Sequence, residues 1–217
     1  SYVRRQIDKG HRLPFRRRSI KAPFHQPVPR RLERENVGEG VVEAVRLLRT
    51  GAYSPAPYQT SAELLAAGHM VSPCFMVDKA GSSKKRTVYN LKRMNREMRR
   101  KRGKLDDLRM LKSLARQGYV ACSMDVGAAP AGKDGYHICQ IHPSDQKYMT
   151  IDLGESVARA SCRPADQKAI LAQAGVDVRG MTAEAVAVYW TRVPRFVVCA
   201  ALPFGYNNAP WLFQKVM

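Results

Sequence analysis

The sequence predicts an α+β protein with an extended basic N-terminal arm, a projecting β-hairpin and a partial antiparallel sheet backed by helices. Three observations predict it. Strand-like runs at 71–77, 85–89 and 195–202 alternate with stretches whose apolar residues return at helical spacing, such as Val41, Val45 and Leu48. Turn-forming residues fall between the first two runs, at Ala80–Ser83, which predicts a hairpin. Residues 1–34 hold 11 Arg or Lys against Asp8 and Glu33, and Pro14, Pro23, Pro27 and Pro29 interrupt any helix. Such a segment buries too little apolar area to fold alone, so it is expected to lie extended on a partner.

The elements follow in chain order. A first helix is expected over Val41–Leu48, stopped by Gly51, with Gly38 and Gly40 interrupting the pattern before it. Residues 52–59 read as loop. Thr60 and Glu63 have the spacing of a capping box, which opens a short helix through Ala67. Leu105, Leu108, Leu111 and Leu114 make the core-facing stripe of a helix ending at Gly118. Strands are expected at Tyr119–Asp125, Tyr136–Ile141 and Gln146–Ile151. Helices are expected at Pro164–Ala174 and Thr182–Trp190, and another begins at Asn208. These divide the chain into an arm (1–34), a region of helices and hairpin (35–118) and a second sheet region (119–217) with a helical element at about 155–194.

Composition narrows the partners. Lys and Arg total 37 against 18 acids, a formal charge of +19, and such a charge opposes compaction without specifying a fold. A polyanion is the expected partner, with structured RNA of a ribonucleoprotein foremost and neighbouring proteins beside it. No run of 18 apolar residues is present, so no membrane insertion is expected. The cysteines, at 74, 122, 139, 162 and 199, form no CxxC pair, and reduced, buried thiols in an intracellular compartment are expected. The arginine-rich, acid-poor start has the composition of an organellar transit peptide but is read instead as an arm lying on a partner; an intracellular location, mitochondrial or in another organelle, is the expectation.

Charge is concentrated in two places. Between Lys92 and Lys104, eight of 13 residues are basic and only Glu97 is acidic. The expected RNA-binding residues are therefore Arg4, Arg5, Arg12, Arg16, Arg17, Arg18, Arg30, Arg31 and Arg34 in the arm. In the second run they are Lys92, Arg93, Arg96, Arg99, Arg100, Lys101, Arg102 and Lys104. Arginine forks suit phosphate oxygens, so backbone contact with little base selectivity is expected.

Three blocks carry a family resemblance. SPCFMVDKAGSSKKRTVYNLKRMN (72–95), ACSMDVGAAPAGKDGYHICQIHPSDQKYMTI (121–151) and ALPFGYNNAPWLFQKVM (201–217) together resemble the fingers and front palm of reverse transcriptases. VYNLKRMN, with Asn90 and Lys92, is similar to the DIRS-like retroelement group. The resemblance implies that Arg86, with Lys84 or Lys85, holds an incoming nucleotide's triphosphate, and that Asp125 binds catalytic Mg2+. It implies further that Tyr136 excludes a ribose 2′-hydroxyl and that Gly205 and Gln214 line the nucleotide and templating base. The pattern Leu-Pro-Phe-Gly-x-x-x-Ala-Pro-x-x-Phe-Gln is met at Leu202, Pro203, Phe204, Gly205, Ala209, Pro210, Phe213 and Gln214. Two departures stand out. GAAPAG separates Asp125 from Gly135 and Tyr136, and the segment 155–194 is longer than relatives need, so it reads as an insertion.

The carboxylates bear on activity. Two-metal phosphoryl transfer needs a second carboxylate element, which the family supplies as Tyr-x-Asp-Asp beyond Gln214, and no such motif occurs in this sequence. Asp134, Asp145 and Asp152 are read as surface or turn residues. The reading favoured by the sequence is thus a non-catalytic, RNA-binding structural protein derived from a reverse-transcriptase fragment, built into a ribonucleoprotein such as a ribosome, with no cofactor expected. The alternative is a piece of an active RNA-directed DNA polymerase using Mg2+. On the first reading, residues 1–217 do not extend a primer. A primer-extension assay giving template-directed products that vanish in Asp125→Ala would refute it.

Overall fold

The computed structural model describes residues 8–17, 19–29, 37–78, 81, 85–101, 139–160, 164–174, 176–190, 193–210 and 212. Asp125, Tyr136, Lys84, Gln214, Arg4, Arg5, Arg18, Arg30, Arg31, Arg34, Arg102 and Lys104 lie outside them, as do the Leu105–Leu114 stripe and the strand expected at Tyr119–Asp125.

The described strands are β1 (Phe24–His25), β2 (Tyr53–Pro55), β3 (Met70–Asp78), β4 (Lys85–Tyr89), β5 (Thr150–Asp152) and β6 (Phe196–Cys199). They form one sheet in the order β1–β3–β5–β6–β2, with β4 paired to the far half of β3. The sheet is mixed, not wholly antiparallel as the sequence predicts. β3 runs parallel to both β1 and β5, while the pairs β3–β4, β5–β6 and β6–β2 are antiparallel. The parallel edge comes from the arm, whose Phe24 and His25 align with Met70 and Val71.

Helices α1 (Val37–Arg49), α2 (Ser61–Ala66), α3 (Lys92–Glu97), α4 (Glu155–Ala160), α5 (Pro164–Gln173) and α6 (Ala183–Tyr189) surround the sheet. α1 starts four residues earlier than its stripe predicts, taking Gly38 and Gly40 into its first turn. Its buried Val41, Ala44, Val45 and Leu47 join Met70, Cys74, Ile151, Val197 and Cys199 in the main core. Full burial of each such aliphatic side chain contributes about 1.5–3 kcal/mol. Gly40 suits the crossing of α4, because a Cβ there would meet Val157 Cγ2 at 3.1 Å. α2 opens with the expected box: Thr60 Oγ1 accepts from Glu63 N, and Thr60 N donates to Glu63 Oε2 at 3.1 Å. Its Leu64 packs with Ala56, Val71, Phe196 and Val198 in a separate small core. Consecutive residues Met70 and Val71, or Val197 and Val198, thus enter different cores, as the two-residue period of a strand requires.

Further differences from expectation have local causes. Residues 52–59 were expected to be loop, yet Tyr53–Pro55 pairs with β6. A strand ending in proline is tolerated there because β2 is the outermost strand. In place of a strand over Gln146–Ile151, a 3-10 helix occupies Pro143–Met149 and β5 begins at Thr150. Pro143 sets a helical φ at the first position, and His142 Nδ1 accepts from Ser144 N, closing the turn before a strand can start. Of the strand expected at Tyr136–Ile141, the described end makes single bridges, His11 to Ile141 and Gln140 to Ala201. The segment read as an insertion is helical as expected, with Thr182 capping α6.

The arm differs most. Its described part packs on the chain's own body, with Leu13, Phe24 and Val28 buried. Two acids expected at the surface hold it there. Asp145, 3% exposed, accepts from Leu13 N and Arg12 Nε, both at 2.8 Å. Asp152, fully buried, accepts from His25 Nε2 at 2.7 Å, Arg195 Nε at 3.1 Å and Gly154 N at 2.9 Å. Burial alone would raise the Asp152 pKa, but the bonds from His25, Arg195 and Gly154 together hold it below its ordinary 3.8. A lowered carboxyl pKa contributes stability that is complete above 3.8 and is lost as pH falls through the folded-state value. Asp152→Ala should therefore cost about 3 kcal/mol in urea unfolding at neutral pH. The difference from wild type should shrink as the pH is lowered below about 4.

Candidate nucleotide and nucleic-acid interface

Three separated stretches of sequence meet at one cavity. The hairpin supplies Lys85, Arg86, Thr87, Val88 and Tyr89 from β4 and Met76 from β3; the Leu202–Tyr206 turn supplies Phe204 and Gly205; α1 supplies Glu43 and Arg46. The cavity holds about 510 Å³, within the size range of small-molecule sites. Three cations and one acid, Arg46, Lys85, Arg86 and Glu43, line it.

Each wall has its own support. The register Val77 to Arg86 and Asp78 to Lys85 fixes the cationic strand against β3. Lys85 Nζ lies 3.6 Å from Glu39 and 4.0 Å from Asp78. Arg46 donates to Glu43 through Nε and Nη2, both at 2.8 Å. At the back, Tyr89 accepts a 2.6 Å hydrogen bond from Tyr53, and both phenols are pushed well above their ordinary pKa by burial. They stay neutral, as does Cys74 beside them, whose thiol burial also pushes up.

The turn needs its glycine. Gly205 has φ +94°, and a Cβ there would meet the Tyr89 carbonyl oxygen at 3.0 Å. Two asparagines hold the turn to the basic segment. Asn95 Nδ2 donates to Gly205 O at 2.8 Å, and its Oδ1 accepts from Asn207 N at 3.1 Å. Asn208, fully buried, accepts from Lys101 N at 2.7 Å and donates to Arg99 O at 3.1 Å. Tyr206 then bonds His11 of the arm at 3.2 Å. Burial lowers the His11 pKa to about 4, so this ring is neutral at physiological pH.

The same contacts bring the two basic regions side by side. Phe15 bridges Met98 in antiparallel fashion, Arg16 N donates to Glu97 O at 2.9 Å, and Arg99 N donates to Pro14 O at 2.7 Å. Glu97, the acid within the second basic run, accepts from Ser19 Oγ at 2.7 Å. Arg16, Arg17, Lys92, Arg93, Arg96, Arg99, Arg100 and Lys101 are exposed around this junction. Not all are uncommitted. Arg12 is bound to Asp145, Arg16 Nε donates to Met98 O at 3.1 Å, and the Arg93 guanidinium lies 4.3 Å from the Phe24 ring centre.

Of the residues the sequence points to, Lys85, Arg86 and Gly205 converge on the cavity, while Arg16 and Arg17 lie at the junction where the arm bonds residues 97–99 of the second basic run, and Arg12 is held by Asp145. Glu43, Arg46, Asn95 and Asn208 escape sequence reasoning. Asn95 reaches Gly205 and Asn208 reaches Lys101, each across more than 100 residues, and no local spacing signals it. Among the described residues, no cluster of His, Cys, Asp and Glu could hold a metal ion, and Asp152 is committed to Arg195 and His25. No described helix is long and apolar enough to cross a membrane.

Gly205→Ala should destabilise the protein by at least about 1 kcal/mol, measured by thermal or urea unfolding, since both the backbone angle and the Tyr89 carbonyl oppose a side chain. The chain matches no protein-family model and no curated protein.

Proposed function

We propose that this chain is a nucleic-acid-binding fingers-and-palm module of reverse-transcriptase type, and that the cavity between hairpin and turn receives the polyphosphate of a nucleotide. One observation carries the reading: residues about 120 positions apart in sequence, Lys85 and Arg86 on one wall and Phe204 and Gly205 on the other, line a single cationic cavity of about 510 Å³. Lys85 and Arg86 supply charge-assisted hydrogen bonds to phosphate oxygens. Phe204, 43% exposed and turned into the same cavity, offers an apolar surface to the sugar or base. In the intact reaction, Mg2+ held by Asp125 and further carboxylates is what the family resemblance implies.

The second reading keeps RNA binding and drops the chemistry: a structural protein of a ribonucleoprotein such as a ribosome. What favours it is the basic junction, where arm residues Pro14 and Arg16 are hydrogen-bonded to Arg99 and Glu97. A junction built this way binds without the ordering cost that a free tail incurs.

Binding measurements separate the two. With the cavity reading, the protein binds a nucleoside triphosphate in equilibrium dialysis, and Lys85→Ala or Arg86→Ala each weakens it by about 10- to 100-fold. If the triphosphate does not bind while an RNA oligonucleotide does, with an affinity that falls steeply with salt and on combined Arg96→Glu, Arg99→Glu and Arg100→Glu, the structural reading replaces it.

A further inference from the structure

The walls of the cavity come from different parts of the chain, and one side chain of α3 is bonded directly to the turn that forms the second wall. β4 carries Lys85 and Arg86, and its continuation, through Asn90 and Leu91, enters α3. From α3, Asn95 reaches across to the opposite wall, donating to Gly205 O at 2.8 Å and accepting from Asn207 N at 3.1 Å. The turn also rests against β4 itself, where Gly205 leaves room for no Cβ beside the Tyr89 carbonyl. We propose that Asn95 is a positioning residue that fixes the Phe204–Gly205 wall relative to the cationic strand, and so governs how the cavity accepts the nucleoside part of its ligand. The proposal rests on the nucleotide reading of the cavity given above.

Three features make Asn95 suited to this task. The primary amide is both donor and acceptor, so one side chain satisfies the Gly205 carbonyl and the Asn207 N–H, on either side of Tyr206. Its backbone is fixed by a helical bond, Asn95 N to Leu91 O at 2.8 Å, and the buried Met94 beside it anchors α3 in the core. The positions of Lys85 and Arg86, by contrast, are set by pairing with β3 and do not pass through Asn95. Loss of the amide should therefore disturb one wall and leave the other.

That asymmetry gives a readout that general destabilisation would not produce. Inorganic tripolyphosphate needs the cationic wall alone, whereas a nucleoside triphosphate needs both walls. Isothermal titration of both probes should show that Asn95→Ala weakens the nucleoside triphosphate about tenfold and tripolyphosphate less than about twofold. Asn95→Asp keeps the size and the acceptor but places a carboxylate oxygen against Gly205 O, and should act in the same selective direction. Rescue by neither probe's concentration is at issue; the ratio of the two affinities is. Equal weakening of both probes in each variant, or no weakening of either, would overturn the role of Asn95 while leaving the cavity a nucleotide site. Lack of binding of both probes to the wild-type chain would remove the nucleotide reading and the positioning role together.

Discussion

The described structure depends on β3 serving two sets of partners in succession. Its first half, Met70–Pro73, lies between β1 and β5, and its second half, Cys74–Asp78, pairs with β4. Pro73 stands at the change. It has no N–H to give to a ladder, aligns with Asp152 of β5, and its carbonyl accepts from Asn90 N at 3.0 Å where β4 ends. At about 3.3 Å per residue the strand spans roughly 30 Å, so it reaches from the main core out to Asp78. A two-stranded ribbon on its own is marginally stable in water. Here the ribbon grows out of a sheet already buried on both faces, and that is why Lys85 and Arg86 have defined positions.

A second constraint is charge. With 37 basic residues against 18 acids, bringing basic segments together is opposed by repulsion. Four of the described acids sit where they relieve it. Asp145 and Asp152 are buried under the arm and bind Arg12, His25 and Arg195. Glu97 is engaged by Ser19 at the junction of arm and second run, and Glu43 is paired with Arg46 on α1. Buried acids thus hold the arm from beneath, while its outward side and the neighbouring run keep their exposed arginines.

Legibility followed the range of the interaction. The hairpin, the capping box at Thr60, the α1 stripe and α5 are encoded within a few residues, and each lies close to where local pattern places it. The parallel edge strand from the arm is not, because Phe24 and His25 are strand residues only when Met70 and Val71 lie beside them. Pro143–Met149 misleads in the opposite way, since its tyrosine and methionine suit a strand but the Pro-Ser-Asp opening enforces a helical turn. In the cavity, the charged residues Lys85 and Arg86 and the special glycine are visible as motif residues. Glu43, Arg46 and the two asparagines are ordinary polar residues, and only the tertiary placement of α1, α3 and the turn gives them a role.

The three cations of the cavity are not equivalent, and their partners say how. Arg46 and Glu43 are each about a quarter exposed, 24% and 25%, and joined by two bonds of 2.8 Å. Lys85 is differently held: Glu39 at 3.6 Å is 53% exposed and Asp78 at 4.0 Å is 89% exposed. Exposed, long pairs of this kind are weak, because water and salt screen them and the side chains keep much of their freedom. A polyphosphate entering the cavity would displace Glu39 and Asp78 from Lys85 far more readily than Glu43 from Arg46. Lys85, with exposed Arg86 next to it, is then the group that changes partner on binding, and Arg46 remains part of the wall.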